Sequence, residues 1–422
     1  MIRRYYSKQS LSALYVGQSH VPQSRLRFSA TTLSLAWAVS AVALLLLWQF
    51  LTVHYNREGN WTALFCTGQL RAMPVELEAR TYRFPNTNGY DGEMYRYVAH
   101  DPFLQLGFAQ YVDGVVLRYS RILVPGLAFL IAGGRQDLID WAYIAVVAIF
   151  VFLGAYWLSQ WASFSGFHPA CGAAFLLVPA TLVSMDRMTV DVALAALAVG
   201  VAFYSKTESP AKLYVVLVMA CLVRETGVLL VAACCLVDLF AKRYKEAAIW
   251  ATAGLPLVGW YLFLSTKLAV YGDSGGVPRW VYRRLGPGLV GRLLNPIRYP
   301  LIGSIEVLTR SLDVVALAGI AVAIVAAIIL LRLRPFGTIS VAGALYAALG
   351  VGMVNIHYWD WCYSYARVFS PLLIFIALET TAAKHRTRGW WWALAPTALV
   401  DLRIGLQLGL QALGILRGIS GH

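Results

Sequence analysis

Apolar stretches of about twenty residues recur along this chain, with the charges gathered between them. The first runs from Ser29 to Val53, and others lie at 141–162, 169–185, 190–205, 246–266, 314–331, 337–356 and 368–383. A helix rises 1.5 Å per residue, so about 20 residues cross roughly 30 Å of hydrocarbon. The stretch 389–416 also reads as helical, although Asp401 and Arg403 interrupt it. The run 211–241 is apolar on both sides of Arg224-Glu225. It reads either as one span with an ion pair near mid-depth, costing several kcal/mol, or as two short helices meeting at that pair. The expected fold is an all-α integral membrane protein, a polytopic bundle of about ten to eleven spans. Composition agrees: 59% of the residues are apolar and 13% charged, against about 25% charged in soluble domains. No shift in composition marks a second domain, so residues 29–422 read as one membrane domain behind an N-terminal segment, 1–28.

The net charge of +14 would suggest nucleic acid on a soluble protein. Here the basic residues sit mostly in short loops beside apolar runs, where membrane orientation and anionic headgroups account for them, and no nucleic-acid partner is expected. Residues 1–28 carry Arg3, Arg4, Lys8, Arg25 and Arg27 and no acid. The run behind them is too long for a signal-peptide core, which predicts an uncleaved first span and a cytoplasmic N-terminus. The two-helix reading of 211–241 puts Lys206, Lys212, Lys242, Arg243 and Lys245 on the cytoplasmic side, yet leaves the basic segment 267–310 outside, against the same tendency. The six cysteines form no CxxC or Cys/His cluster, and a pairing of Cys66 with Cys362 stays open. No Walker loop, GxSxG, HExxH or dinucleotide fingerprint is present.

With that topology, four polar clusters share one face. The first is Gly89-Tyr90-Asp91-Gly92-Glu93-Met94-Tyr95-Arg96-Tyr97, continuing to His100-Asp101-Pro102, within the long outer loop 54–137. In the same loop Ile122–Ala132 is apolar but too short to cross, and reads as an interfacial helix. Asp186-Arg187 with Asp191 is the second cluster and Arg224-Glu225-Thr226 the third. The fourth runs from His357 through Trp359, Asp360, Trp361, Tyr363 and Tyr365 to Arg367. Plain readings exist for each: a turn at Asp91-Gly92, a helix-end ion pair at Asp186-Arg187, structural glue at Arg224-Glu225, an interfacial belt at Trp359 and Trp361. Their joint placement favours a site. The loop 267–310 adds Arg279, Arg283, Arg284, Arg292 and Arg298 among aromatics, a mixture equally suited to gripping phosphate and to resting on headgroups.

The run Tyr90-Asp91-Gly92 with Tyr95, Tyr97 and Asp101-Pro102 resembles the YDGxxYYxxAxDP pattern of bacterial polytopic proteins of cell-surface glycopolymer formation, in the GT-C glycosyltransferase superfamily. Arg121 to Pro125 is similar to that group's RxxxP segment, Arg224-Glu225-Thr226-Gly227 to its RET element, and His357 to Pro371 to its outer-loop segment before a late span. Glu93-Met94 stands where the pattern usually has Gln and an aromatic residue.

The resemblance implies a catalytic acid in the first outer loop and two short helices around a polar junction, which selects the two-helix reading of 211–241. It implies a polyprenyl-phosphate sugar donor, a glycan or lipid acceptor, and a multi-pass protein of the bacterial inner membrane whose site faces the periplasm or exterior. Residue by residue, Asp91 becomes the general base. Arg121, Arg224, Arg283, Arg284 and His357 become donor-phosphate ligands. Tyr90, Glu93, Tyr95, Asp186, Arg187, Glu225, Asp360, Tyr365 and Arg367 become sugar or acceptor contacts. A divalent cation, Mg or Mn, near Asp91, Asp186 and Glu225 is left open. Two rivals stand beside the enzyme: a transporter or flippase of lipid-linked glycans, and a non-catalytic assembly partner.

Overall fold

The computed structural model describes residues 23–268, 288–299, 303–334, 336–382 and 390–420. Helix α1 (Gln23–Asn56) is uninterrupted, and residues 30–56 contain neither glycine nor proline to break it. The chain then folds over one end of the bundle in short pieces: α2 (Val75–Glu78), α3 (Asp91–His100), α4 (Val115–Ser120) and α5 (Leu123–Ile131), with 3₁₀ turns at Trp61–Phe65 and Phe108–Tyr111. The apolar segment expected to form a short helix is α5.

The bundle continues with α6 (Ile139–Phe164), a 3₁₀ stretch Pro169–Leu177, α7 (Pro179–Arg187), α8 (Asp191–Lys206), α9 (Pro210–Val223), α10 (Val228–Phe240), α11 (Tyr244–Thr252) and α12 (Leu255–Leu268). After α13 (Gly288–Leu294) come α14 (Ser304–Leu333), α15 (Thr338–Gly352), α16 (Cys362–Val368), α17 (Ser370–Thr381) and α18 (Ala395–Ser420). Among the described residues there is no named strand, and Gly68 and Phe84 form an isolated bridge. This is an all-α membrane fold.

Among the described residues, five helices are long and apolar enough to cross a membrane, α11 and α12 counting together as one over Tyr244–Leu268, or seven if each bent pair counts as one span. That is fewer full crossings than the sequence runs suggested, for two physical reasons. First, the stretch 169–185 bends by 60° between Leu177 and Pro179, and the late span bends by 48° ahead of Ser370-Pro371. Proline drives the residue before it out of the helical region, and Val178 has ψ 129°. Second, α8, α9, α10 and α15 have 16, 14, 13 and 15 residues, less than a straight crossing needs. The 211–241 segment is α9 and α10, with Glu225–Gly227 as a single 3₁₀ turn between them.

Two cores hold these parts. The larger runs through the bundle; α8 is buried from Asp191 to Ala202. The smaller, around Met94, Tyr97, Phe108 and Tyr119, belongs to the 57–138 segment and reaches Leu264 and Leu268 of α12. Each large side chain so buried contributes about 1.5–3 kcal/mol, which fixes the segment on the bundle instead of leaving it a loose loop.

Candidate active site

Asp91 opens α3, and every later residue of that helix is buried. The reason Asp91 is followed by glycine is close approach. A Cβ on Gly92 would stand 2.0 Å from the carbonyl oxygen of Arg187 and 3.0 Å from that of Phe65. The Asp-Gly pair is therefore not the turn its sequence permits. Gly89 is the residue that turns, at φ +74°.

The Asp91 carboxylate lies between two guanidinium groups. Oδ1 accepts from Arg118 Nη2 at 2.7 Å, and Oδ2 accepts from Arg367 Nη2. Arg367 also donates to Asp191 Oδ2 at 3.1 Å, and Asp191 Oδ1 accepts from Arg224. Arg224 Nε stands 3.4 Å from Glu225 Oε1. Glu225 is gripped by Arg121 through two parallel bonds of 2.7 and 2.9 Å, the bidentate geometry that guanidinium and carboxylate share. Arg121 donates to the Tyr95 hydroxyl at 2.6 Å, and Arg118 does so at 3.3 Å. The chain of contacts thus closes on itself through residues drawn from α3, α4, α8, α16 and the α9–α10 junction.

Four arginines face three carboxylates in the ring itself; Arg118 also donates to Asp113 at 3.0 Å, and Asp113 in turn accepts from Arg71 at 2.9 Å, so the extended network keeps one positive charge in excess. Arg121, Arg224, Arg367 and Asp191 are buried. The most exposed side chains of the ring are the carboxylates of Glu225, 38% exposed, and Asp91, 20% exposed. Burial alone would push the Asp91 carboxyl up, but Arg367 and Arg118 outweigh it and hold the group well below the usual carboxylate range.

An apolar groove of about 370 Å³ is lined by Phe103, Ile122, Leu123, Gly126, Leu222 and Trp260, and by none of the ring's own side chains. Ile122 follows Arg121 directly, and Leu222 lies two residues before Arg224, so the chain segments that carry two of the ring's arginines also line the groove. On another side of Asp91, Tyr90 contacts Arg367 at 5.2 Å and Arg187 at 5.3 Å. Arg187 also lies 4.3 Å from the ring centre of Tyr363, which Arg403 meets at 5.5 Å.

Of the residues the sequence singled out, Asp91, Tyr90, Tyr95, Arg121, Arg224, Glu225 and Arg367 converge here, and Asp186 and Arg187 lie next to them. Others do not. Glu93 is fully buried, its carboxylate accepting from the Gly68 amide at 3.1 Å and the Tyr97 hydroxyl at 2.8 Å. It anchors a loop and has no open face toward an acceptor, and burial raises its carboxyl above the ordinary value. Tyr365 is core, packed on Trp359. Trp359 itself is buried and stacked on Phe369, not part of a belt. His357 is 79% exposed and pairs with Asp360 at 3.0 Å; Asp360 also binds Arg292, making a separate cluster. Arg279, Arg283 and Arg284 lie outside the described residues. Cys66 and Cys362 are both free thiols.

The carboxylates set aside for a cation do not converge. Asp91 and Glu225 each face arginines, and Asp186 accepts from Gln411 Nε2 at 2.7 Å. Among the described residues no group of three or more His, Cys, Asp or Glu side chains comes together to hold a metal ion.

One ring member, Arg118, was not named from the sequence, and Asp191 was named there only as part of the second polar cluster. Arg118 stands three residues before Arg121, one helical turn away, and that spacing was the available signal. Asp191 sits in the first turn of α8, where an acid is expected for helix reasons alone. No family model, curated protein or solved structure matches the chain. The site must speak for itself.

Proposed function

We propose that this protein is a membrane glycosyltransferase that moves a sugar from a polyprenyl-phosphate donor to a glycan or lipid acceptor. The observation that carries the reading is one juxtaposition. A solvent-reaching carboxylate, Asp91, shares its two arginines with a buried cation-rich ring, and the segments that carry Arg121 and Arg224 also line an apolar groove. A lipid phosphate has both parts: a charge for the guanidinium groups and a chain for the groove.

In the reaction, an acceptor hydroxyl oxygen attacks the anomeric carbon, and its proton passes to Asp91. The bond from that carbon to the phosphate oxygen breaks with inversion, and the electron pair leaves with the lipid phosphate. Fixed positive charge at Arg118, Arg121, Arg224 and Arg367 stabilises the developing phosphate, so no acid need protonate it. Held by two arginines, Asp91 is ionised but weakly basic. A bound phosphate competes for those same guanidinium groups, and the carboxylate gains basicity as they turn toward it.

The test is transfer from radiolabelled polyprenyl-phosphate sugars by purified wild type and Asp91→Asn. Loss of about 10²–10⁴-fold is expected for a general base; near-normal transfer, or uptake into proteoliposomes without transfer, removes the reading. Arg224→Met should raise the donor KM more than the acceptor KM. We place the site on the periplasmic or exterior side of a bacterial inner membrane, with the N-terminus cytoplasmic. Single cysteines at 91, 186, 225 and 360 should then label from the same outer compartment.

A further inference from the structure

Arg187, the last residue of α7, faces a second cavity that does not include Asp91. It measures about 60 Å³ and is lined by Thr52, Arg57, Asp186, Arg187, Gln407 and Gln411 among others. By the usual allowance for one water, that is room for a few water-sized groups. A whole sugar ring would not fit, but the substituents along one edge would.

The lining is unbalanced in charge and in hydrogen bonds. Two arginines stand against one carboxylate. Arg187 meets Asp186 Oδ2 at 3.5 Å, the limit of a hydrogen bond, while Gln411 holds that oxygen at 2.7 Å. The planar faces of Arg187 are engaged by Tyr90 and Tyr363, an arrangement that leaves the N–H edge for a ligand. Two further groups lack partners among the described residues. The Thr52 hydroxyl is buried and unpaired, its residue 2% exposed, and so is Oε1 of Gln411, its residue 8% exposed. Because Gln411 Nε2 is committed to Asp186, its free Oε1 asks for a donor, and buried polar atoms without partners are costly.

A carboxylate for the arginines and a hydroxyl for Gln411, side by side, would satisfy both deficits. We infer that this cavity binds the acid edge of a hydroxy-acid sugar, a uronate, by its carboxylate and a neighbouring hydroxyl. The single excess positive charge fits a monoanion better than a phosphate dianion. That the uronate belongs to the acceptor rests on the transferase reading; the pocket itself does not.

The experiment is equilibrium binding to the purified full-length chain in nanodiscs, with no donor present. The probes are glucuronate, glucose and inorganic phosphate at matched ionic strength. Glucuronate should bind at least tenfold tighter than glucose and tighter than phosphate. Arg187→Gln should weaken it about tenfold or more, as expected for charge-assisted bonds, and Arg187→Lys should recover part of the loss. Equal affinity for glucose and glucuronate, preference for phosphate, or undiminished binding in Arg187→Gln overturns the assignment. Thr52→Val is nearly isosteric and covers the case where the arginine variant does not fold. It should weaken glucuronate severalfold, and unchanged binding there also overturns it. Since no transfer is measured, failure here and failure of Asp91 as base are separate results.

Discussion

Two ion networks sit on α3, one at each end, and they are built on opposite plans. At the C-terminal end, Arg96 holds Asp140 by two bonds of 2.7 and 2.8 Å and donates a third, also 2.7 Å, to Thr81. His100 adds bonds to Asp140 at 3.0 Å and Gln136 at 2.6 Å, and Gln136 returns one to the His100 carbonyl. Arg96 and His100 side chains are 0% exposed. At the N-terminal end, Asp91 opens a ring with surplus positive charge, and two of its three acids, Asp91 and Glu225, reach solvent while Asp191 is buried. A sealed, matched network ties the 57–138 segment to α6 and has nothing left to offer a ligand. An unmatched one, whose cations are held partly by solvent-reaching carboxylates, is open to exchange when a better anion arrives. Ion pairing alone thus does not identify a site; the direction of the imbalance does.

Substitutions can break that contrast. Asp91→Asn should lower transfer by about 10²–10⁴-fold and cost less stability than Arg96→Met, because the position is 20% exposed and Arg367 keeps Asp191 as a partner. Next in size, Arg96→Met should destabilise the fold by about 3–5 kcal/mol, the cost of stranding a buried partner charge, as read from denaturant unfolding in detergent. If both variants lose stability equally, the two ends of α3 are alike and the contrast fails. Gly92→Ala must push α3 away from the Arg187 carbonyl. A cost of about 1–3 kcal/mol is expected, with transfer falling further than that loss of folded protein explains, since Asp91 moves with the helix.

The smallest effects concern pH, where two acids two residues apart in the first turn pull in opposite directions. The folded-state pKa of Asp91 is depressed, so its contribution to stability is present above the ordinary 3.8 and is lost as pH falls through the folded value. In the free protein kcat/KM should therefore show no acid limb from this group above pH 3.8. The folded-state pKa of Glu93 is raised, so its contribution is full below 4.5 and is lost as pH rises through the folded value. Glu93→Gln should flatten the decline in stability above pH 4.5 and leave transfer unchanged. An acid limb near pH 5 that disappears in Asp91→Asn would contradict the first expectation.

Hydropathy made the membrane class legible, because a run such as 139–164 has no other way to bury itself. It did not reveal that Pro179 and Pro371 mark bends, since the apolar character passes straight through both. The break at Arg224-Glu225 was visible as charge inside an apolar run. Asp91, Tyr95, Arg121 and Arg367 could be nominated from short patterns, but their mutual contacts span up to 276 positions and no local signal carries them. Glu93 was misread for the same reason. An acid two residues from Asp91 looks exposed until the Gly68 amide, 25 positions away, is folded onto it.

The contact of Tyr90 with both Arg367 and Arg187 has a consequence for how two ligands would meet. Arg367 belongs to the ring, Arg187 to the smaller cavity, and one phenol ring touches both. A ligand that draws Arg367 aside changes what Tyr90 rests on, and so changes the support under Arg187. Whatever factor the first ligand imposes on the affinity of the second, the second must impose in return. The preferred order of addition would then be a property of this shared aromatic, and exchanging Tyr90 for leucine should uncouple the two binding constants.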